Sequence, residues 1–511
     1  MNTRRRKKDM VFLTGATGFI GHYLLAELLR RGCRCAVLLR PPLAAGIDRL
    51  ATLLWELEVD VSDCIRREQL LAIEGDVTAG CELPPDAPIG AVIHAAASTQ
   101  FRADARGEPM RTNVRGTEHL LAAMTARGVR RMHMVSSAYV CGRRGGLVPE
   151  CLHDEWRGFH NVYEESKWRA EHLAARWAAD HQGCLTLHRP SIVVGDSRTG
   201  RATRFRGFYI LARATEFLAR SFADASRAAR NAIPLRIRGR PDERQNLVPV
   251  DWLAQLMARI VTTPEYQGRT YHLVHPSPPS NETIKRALEL YFDVGGGRFV
   301  EPAGFAERDL NVHERQFADI SGPIGHYFLD APHFSREATH SLEREMGLVC
   351  PTVDTAFIIR LVTYACRADW GRPMKSRNAQ VAGCASYFEG FLPAHVPLSR
   401  VARMTALNAT VRFVIEDEVN GEWVCRFDGG RLSGVHRGAN GLREDFGYRA
   451  TREVFWDSIS GSVHPQELFL TGRAEVFGDT EKALKMAMIL HEFTREFPCL
   501  PEEVAAPGGP P

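Results

Sequence analysis

The residues best suited to chemistry are a tyrosine and a lysine in the segment YEESK. Tyr163 and Lys167 are four positions apart, which puts them on one face of a helix. An ammonium close to a phenol favours the phenolate, so we expect the pKa of Tyr163 to fall below its usual value of about 10. Such a tyrosine can donate or accept a proton at a carbonyl oxygen near neutral pH.

A pair of serines precedes this segment in VSSAYVCG, where a predicted strand ends. A hydroxyl of Ser136 or Ser137 at that position can hydrogen-bond the same carbonyl oxygen and hold it for hydride transfer. The YxxxK spacing alone arises often by chance on surface helices. Its combination with the serine pair and with a glycine-rich loop nearer the N-terminus indicates one redox site.

The glycine-rich loop is TGATGFIG, between a predicted strand at Met10–Thr14 and a predicted helix at Ile20–Arg31. Gly15 allows a tight turn, Gly18 lets the backbone approach a pyrophosphate, and Gly21 allows the helix to pack closely on the sheet. The N–H groups of the helix N-terminus would bind the phosphates. This context predicts a dinucleotide site, and the expected contacts are Gly15, Thr17, Gly18, Phe19, Ile20 and Gly21.

The choice of dinucleotide depends on Arg40, which follows the next predicted strand in AVLLRPP. An acidic residue there would bind ribose hydroxyls, whereas a guanidinium suits a 2′-phosphate. We therefore predict NADPH rather than NADH. Asp76 and Val77, in EGDV, are expected at the adenine edge, and the small residues of HAAAS leave room for the ribose and nicotinamide; these are Ala95, Ala96 and Ala97.

Strand-like and helical runs alternate from Met10 onward, which predicts an α/β domain with a doubly wound parallel Rossmann sheet and helices on both faces. The alternation fades after Gly195. We therefore expect the first domain at residues 9–370, with a small substrate subdomain mainly within 196–370.

This first domain resembles the extended short-chain dehydrogenase/reductase superfamily over Met10–Tyr364. The matching motifs are TGATGFIG, EGDV, HAAAS, TNVRGT, VSSAYV, YEESK, RPSIVVGDSRTG and NLVPVDWLA. The resemblance implies that Ser137, Tyr163 and Lys167 are the catalytic triad. It also places Lys167 and Pro190 among the cofactor-binding residues.

Within the superfamily, YEESKWRAE and RPSIVVGDSRTG look most like the thioester-reductase and fatty-acyl-CoA-reductase branch. That branch implies NADPH-dependent reduction of an acyl thioester to an aldehyde, and sometimes on to an alcohol. The pair SK after the tyrosine also occurs in hydroxysteroid dehydrogenase-like members, so a hydroxysteroid or other lipid-alcohol dehydrogenase is an alternative. A non-catalytic lipid carrier is a third reading, which the intact triad disfavours.

A second domain follows a polar segment with Gly and Pro, which we interpret as a linker at 371–386. Beyond it, Thr410–Glu416 and Trp423–Phe427 alternate apolar and polar residues around an Asn-Gly pair, as in a β-hairpin. These features predict an α+β domain with an antiparallel sheet at 387–500. The tail at 501–511, PEEVAAPGGPP, is expected to be disordered.

The second domain resembles the sterol carrier protein family from Tyr387 to Phe497. The matching segments are VRFVIEDEVNGEWVCRFDGG, FWDSISGSVHPQELFLTGRAEVFGD and KALKMAMILHEF. The resemblance implies a tunnel for acyl chains or sterols. Apolar residues that could line it, or could form an ordinary closed core, are Phe469, Leu470, Leu484, Met486, Met488, Ile489 and Leu490.

Charge and composition exclude several classes of protein. The net charge of +4 over 511 residues argues against a nucleic-acid partner, and no apolar run reaches the ~18 residues of a membrane span. Twelve cysteines without paired spacing fit a reducing cytoplasm. His326, His333 and His340 lack further ligands at suitable spacing, so we predict no metal site.

The segment Arg198–Arg244 holds twelve arginines against four acidic residues, with aromatic residues at partly helical spacing. It could contact phosphates of a coenzyme A or acyl-carrier-protein arm, or form a peripheral contact with an anionic membrane. The alternative is a solvated helix over the substrate pocket. The substrate itself is expected to be a lipophilic small molecule, because a lipid-binding domain shares the chain.

Overall fold

The computed structural model describes residues 9–223, 225–301, 309–329, 331–371, 384–405, 407–438, 441, 443–460, 468, 473–497 and 499. The chain divides into two compact units, residues 1–372 and 373–511. Most of the expected linker, at 372–383, and the whole expected tail, at 501–511, lie outside the described residues.

A seven-stranded parallel sheet forms the centre of the first unit. In chain order its strands are β1 (Met10–Thr14), β2 (Arg34–Leu39), β3 (Leu70–Glu74), β4 (Ile89–His94), β5 (Arg131–Val135), β7 (Cys184–Pro190) and β11 (Thr270–Leu273). Their order across the sheet is β3-β2-β1-β4-β5-β7-β11. This is the doubly wound arrangement, so the predicted fold class is confirmed.

The strands of this sheet are almost continuously apolar because helices cover both faces of the sheet and bury the side chains on each face. These helices are α1 (Phe19–Arg30), α2 (Leu43–Trp55), α3 (Val61–Arg66), α4 (Gly116–Ala126), α5 (Val162–Asp180) and α8 (Val250–Thr262). A π-helical turn at Arg111–Arg115 leads into α4, and a 3₁₀ turn at Ala138–Cys141 follows β5.

The short strands outside the seven-stranded sheet and the remaining helices of the first unit build a smaller subdomain with its own buried clusters. Three short parallel pairs join β8 (Ile192–Val194) to β10 (Leu247–Pro249), β9 (Arg236–Arg238) to β12 (Arg298–Val300), and β6 (Leu147–Val148) to β13 (His333–Phe334). The helices are α6 (Phe208–Ser221), α7 (Arg227–Arg230), α9 (Asn281–Phe292), α10 (Val312–Ser321), α11 (Glu337–Met346) and α12 (Thr355–Arg367).

The second unit contains a five-stranded sheet in the order β16-β15-β14-β17-β18. Its strands are β14 (Ala409–Ile415), β15 (Glu422–Asp428), β16 (Arg431–Arg437), β17 (Phe446–Ala450) and β18 (Glu475–Gly478). The predicted hairpin is present as β14 and β15. The expectation of a fully antiparallel sheet is wrong, because β14 pairs with β17 in parallel.

The described residues of the second unit also form four α-helices: α13 (Leu392–His395), α14 (Arg400–Thr405), α15 (Arg452–Ile459) and α16 (Thr480–Glu496). Its core includes Cys384, which is fully buried, so packing begins before Tyr387. Met486, Ile489 and Leu490 border an apolar cavity of about 30 Å³. The side chains of the other predicted lining residues lie outside the described set: Phe469, Leu470, Leu484 and Met488.

The two units have separate hydrophobic cores, because no buried cluster of described residues contains members of both. A chain ending at Arg372 should therefore fold and unfold cooperatively on its own. Thermal unfolding followed by circular dichroism would check this against the full chain. A shortened chain without a cooperative transition would show that the second unit is required for the first unit to fold.

Candidate active site

A cavity of about 660 Å³ lies in the first unit, and the motifs at the carboxyl ends of the parallel strands line it. This edge of a parallel sheet is the general ligand position in doubly wound folds. The cavity brings together every site residue predicted from the sequence: Gly15, Thr17, Gly18, Phe19, Ile20, Gly21, Arg40, Asp76, Val77, Ala95, Ala96, Ala97, Ser137, Tyr163, Lys167 and Pro190.

The glycine loop is packed so closely that side chains have no room. Gly15 has φ +74°, and a Cβ placed on it would lie 2.5 Å from the Ala96 nitrogen. A Cβ on Gly21 would lie 2.0 Å from the Gly15 carbonyl oxygen. Helix α1 begins directly after Gly18, so its N-terminal N–H groups are at the cavity. The loop is thus a narrow backbone cradle of the kind that binds a pyrophosphate.

An arginine cluster lies at the carboxyl end of β2. Arg40 follows that strand, and burial together with neighbouring arginines lowers the pKa of both Arg49 and Arg204. Arg40 is one of the charges acting on each of them, and all three line the cavity. Among the described residues, none of the three has a carboxylate in ion-pair range. The cluster therefore provides an uncompensated positive region suited to a phosphate.

The Asp76 carboxylate accepts a hydrogen bond from the Thr78 N–H at 2.8 Å, which stabilises the turn after β3. The Val77 carbonyl is bonded to Nδ1 of His119 at 2.7 Å. These contacts fix the loop after β3 at the cavity edge.

A buried polar chain fixes the loop after β4. The Thr117 hydroxyl donates to the Asn113 carbonyl at 2.6 Å, so it accepts from Nε2 of His94, at 3.1 Å. Nδ1 of His94 then accepts from the Thr14 hydroxyl at 2.8 Å. Burial lowers the pKa of His94 to about 3, with Lys167 adding to the effect, so this ring is neutral. The ends of β1 and β4 are therefore tied to the start of α4.

Asn113, in the π-helical turn, joins this loop to the helix of the predicted catalytic residues. Its amide nitrogen donates to the Ser98 carbonyl at 2.9 Å and to the Ser166 hydroxyl at 2.8 Å. Ser166 in turn donates to the Tyr163 carbonyl at 2.7 Å. In the sequence, Asn113 stands out only as part of the family motif TNVRGT, and this positioning role becomes visible only in the fold.

Tyr163 and Lys167 lie on α5, beside Ser137 at the end of β5. The nearby Ser137 side chain favours the phenolate, but burial dominates and raises the pKa of Tyr163 to about 12. The expected lowering of this pKa is thus wrong for the protein alone, because burial penalises the phenolate. The Lys167 ammonium donates to the Val135 carbonyl at 2.6 Å. Burial lowers the pKa of Lys167 to about 8.

The neighbouring Glu164 is fully buried and connects α5 to the subdomain. Its carboxylate accepts from the Tyr327 hydroxyl at 2.7 Å, from the His160 N–H at 3.0 Å and from the Asn161 amide at 3.3 Å. Burial raises the pKa of Glu164. The carboxylate thereby fixes a 3₁₀ segment, Gly322–Phe328, beside the predicted catalytic tyrosine.

Apolar side chains form the cavity wall on the subdomain side. The Tyr327 ring packs edge-on against Tyr139, with centroids 4.7 Å apart, and Phe101 lies beside both Tyr163 and Tyr327. Further apolar lining comes from Ile192, Phe208, Leu247, Ile284 and Ile324. This part of the cavity suits a lipophilic group.

Several charged and aromatic side chains of the segment Arg198–Arg244 are engaged in contacts within the folded protein. Several of its arginines pair with carboxylates outside the segment, and the aromatic residues Phe208 and Tyr209 are buried. Phe217 is 42% exposed. Arg204 and Arg206 line the cavity. Contact of this segment with a phosphate arm or a membrane stays a prediction.

The described residues contain no group of three or more His, Cys, Asp or Glu side chains arranged to hold a metal ion. Among them, no helix combines the length and apolarity needed to cross a bilayer.

Comparison with family models identifies both domains. Residues 13–257 match the model described as male sterility protein, and residues 392–491 match the SCP-2 sterol transfer family. The chain therefore carries a NAD(P)-binding domain of the extended short-chain dehydrogenase/reductase type, followed by a sterol carrier protein domain. The sequence resemblances to these families are confirmed.

Curated relatives match part of this chain. An aldehyde reductase, lnaA, of Aspergillus flavus is 29% identical over 315 residues, or 57% of this chain. A nonribosomal peptide synthetase, asaC, of the same species is 25% identical over 320 residues, also 57% of this chain. The match covers 28% of the length of each of these relatives.

Solved structures show the same fold. The terminal R domain of the myxalamid PKS-NRPS pathway aligns with a TM-score of 0.56 at 22% identity, covering 71% of this chain and 91% of that domain. A thiolation-reductase di-domain from an archaeal non-ribosomal peptide synthetase aligns with a TM-score of 0.56 at 21% identity, covering 72% of this chain and 77% of the di-domain.

The closeness of Gly21 to Gly15 yields a testable prediction. A methyl group at position 21 would meet backbone atoms, so Gly21→Ala should displace the loop and cost about 1–3 kcal/mol of stability. Dinucleotide affinity, measured by fluorescence titration, should fall together with stability. Gly145→Ala is the control, because its Cβ would meet nothing within 4 Å. Unchanged affinity in the Gly21 variant would contradict the assignment of the loop as the pyrophosphate site.

Proposed function

We propose that the first unit uses NADPH to reduce a lipophilic acyl group, held as a thioester on coenzyme A or on a carrier protein, to an aldehyde and in some cases on to an alcohol. One observation above all supports this: Ser137, Tyr163 and Lys167 line one cavity with the glycine loop and an apolar wall. The kinship with a terminal R domain and with an aldehyde reductase supports the thioester and the aldehyde.

The residues present fit a phosphorylated dinucleotide. The cradle at Gly15 and Gly21 admits only backbone, as a pyrophosphate site requires. Arg40, with Arg49 and Arg204, would hold the 2′-phosphate, while Asp76 and Val77 would border the adenine and Ala95–Ala97 the ribose. When bound, NADPH supplies a hydride to the carbonyl carbon of the thioester.

The protein's own groups act on the carbonyl oxygen. The Ser137 and Tyr163 hydroxyls bind it, and negative charge develops there as the carbon is reduced. Because its pKa is raised, Tyr163 is protonated at neutral pH and can give its proton to this oxygen. Loss of the thiol from the resulting hemithioacetal leaves an aldehyde. A second reduction would give the alcohol.

Lys167 has a positioning and electrostatic role in this proposal. Its ammonium is fixed by the Val135 carbonyl, and Glu171 partly offsets the effect of burial on the Lys167 pKa. A cation near Tyr163 stabilises the phenolate left after proton transfer. Pro190 lies on the same wall and would border the nicotinamide together with Lys167.

The second unit is proposed to bind the lipophilic part of a substrate or product. Each buried methylene contributes about 0.8 kcal/mol, so a tethered binding domain would raise the local concentration of a poorly soluble chain. Among the described residues, Met486, Ile489 and Leu490 border an apolar cavity that would take part in this binding. The protein shortened to end at Arg372 can be assayed with acyl substrates of increasing length. If the second unit delivers the substrate, the activity of the shortened protein should fall as the acyl group lengthens, whereas a purely structural role predicts no such dependence on length.

The cytoplasm is the proposed location. The twelve cysteines lack the paired spacing of a disulfide framework, which fits a reducing compartment.

Cofactor preference tests the arginine cluster. Arg40→Asp places a carboxylate where the 2′-phosphate would lie, so the KM for NADPH should rise on the order of tenfold and the preference over NADH should weaken or reverse. Steady-state kinetics with both dinucleotides measure this. Arg31→Asp, an exposed change after α1, is the control. An unchanged ratio of the two KM values would contradict the assignment.

The proton donor provides the central test of the proposal. Tyr163→Phe should leave NADPH binding intact and lower kcat on the order of 10²–10⁴-fold with acyl thioesters. NADPH oxidation is measured against panels of acyl-CoA, carrier-bound acyl groups and ketosteroids. Tyr266→Phe, which removes a hydroxyl bonded to Glu345 outside the cavity, is the matched control. Turnover of ketosteroids but not thioesters would favour the lipid-alcohol dehydrogenase instead.

A further inference from the structure

A buried polar atom without a hydrogen-bond partner in a cavity wall indicates a position where a ligand atom can bind, because leaving such an atom unsatisfied costs about 1–3 kcal/mol. Among the described residues that line the large cavity, three have such an atom: Glu108 Oε2, Ser136 Oγ and Gln245 Nε2. The other oxygen of Glu108 accepts from Arg111 and Thr112. Ser136 adjoins the catalytic serine. Gln245 belongs to no part of the site described so far.

The backbone around Gln245 is held firmly. Its N–H donates to the Pro279 carbonyl at 2.9 Å, and the next residue, Asn246, accepts from the Ser191 hydroxyl at 2.6 Å and from the Ile192 N–H at 3.1 Å. Strand β10 then pairs in parallel with β8, with Leu247 opposite Ile192. Gln245 is therefore fixed at the cavity wall formed by Pro190–Ile192.

Apolar residues share the cavity with Gln245. The residue is only 2% exposed, and Ile192, Leu247 and Ile284 line the same cavity. A single donor in an apolar wall gives orientation and specificity to a ligand whose remaining contacts are apolar. An amide N–H requires an acceptor oxygen.

We propose that Gln245 binds a second carbonyl oxygen of the substrate, distinct from the thioester oxygen held by Ser137 and Tyr163. This inference rests on the proposed function, which already assigns the thioester oxygen to those two hydroxyls. A second carbonyl can come from an amide of a pantetheine arm or from an oxygenated acyl chain. Both present the same acceptor to the Gln245 amide, and substrates that differ in one group separate them.

The test uses the full-length chain and three thioesters: octanoyl-pantetheine, the octanoyl thioester of ethanethiol, and the 3-oxooctanoyl thioester of ethanethiol. Gln245→Met keeps the side-chain length and removes the donor, while Gln245→Glu replaces the donor with an acceptor. Gln267→Met is the control, because that amide donates to the Val261 carbonyl outside the cavity.

We expect Gln245→Met to raise KM about 3- to 10-fold, with kcat little changed, for the thioester that contains the second carbonyl. The plain octanoyl thioester of ethanethiol should be unaffected. An effect confined to octanoyl-pantetheine identifies the arm as the source, and one confined to the 3-oxo compound identifies the acyl chain. Gln245→Glu should weaken the same substrate, whereas Gln267→Met should weaken none.

Equal changes for all three thioesters, or no change for any, would overturn the proposal. The melting temperature gives an independent readout: removing an unsatisfied donor should not lower it, whereas a structural role would. If none of the three thioesters supports NADPH oxidation by the wild-type protein, the proposed function fails. Calorimetric binding of octanoyl-pantetheine and of 3-oxooctanoyl-ethanethiol to the wild type and to Gln245→Met then decides the role of Gln245, and equal affinities would refute it.

Discussion

The contact between Gly15 and Gly21 is the constraint on which the rest of the site depends. The start of α1 can approach the end of β1 only because neither residue has a side chain, and this approach exposes the helix N-terminus to the cavity. The loop after β4 packs against the same turn, since a Cβ on Gly15 would also meet Ala95. Any movement of the turn would therefore shift the loop that reaches Asn113 and, through Ser166, the helix of Tyr163.

Several features could be predicted from the sequence because they are local. The glycine spacing, the YxxxK pair and the serine pair each lie within a few residues, and the parallel topology brings them to one edge of the sheet. The strand and helix alternation predicted the first unit well, since its strands are buried and its helices periodic. The hairpin of β14 and β15 was also evident from its alternation and turn residues.

Other features depend on contacts between residues far apart in the chain. Arg49 and Arg204 join Arg40 only in the folded structure, and Tyr327 meets Glu164 across 163 positions. The Tyr163 pKa shows a different limit: the four-residue spacing to Lys167 is local, but the pKa is raised by burial of the phenol, which the spacing cannot show. The parallel pairing of β14 with β17 was likewise invisible, because strand alternation does not specify direction.

The hydrogen bond between Glu164 and Tyr327 has a consequence for how this cavity can change. Glu164 follows Tyr163 directly, so the turn of α5 that presents the phenol also anchors the Gly322–Phe328 segment. Loss of the Tyr327 hydroxyl would leave the buried Glu164 carboxylate with only the His160 N–H and the Asn161 amide as donors, so a change in the Tyr327 wall also alters the turn that presents the phenol. The shape of the Tyr327 wall and the position of the Tyr163 phenol are thus coupled, whereas Ile284, an apolar lining residue on α9, lies outside this hydrogen-bonded pair.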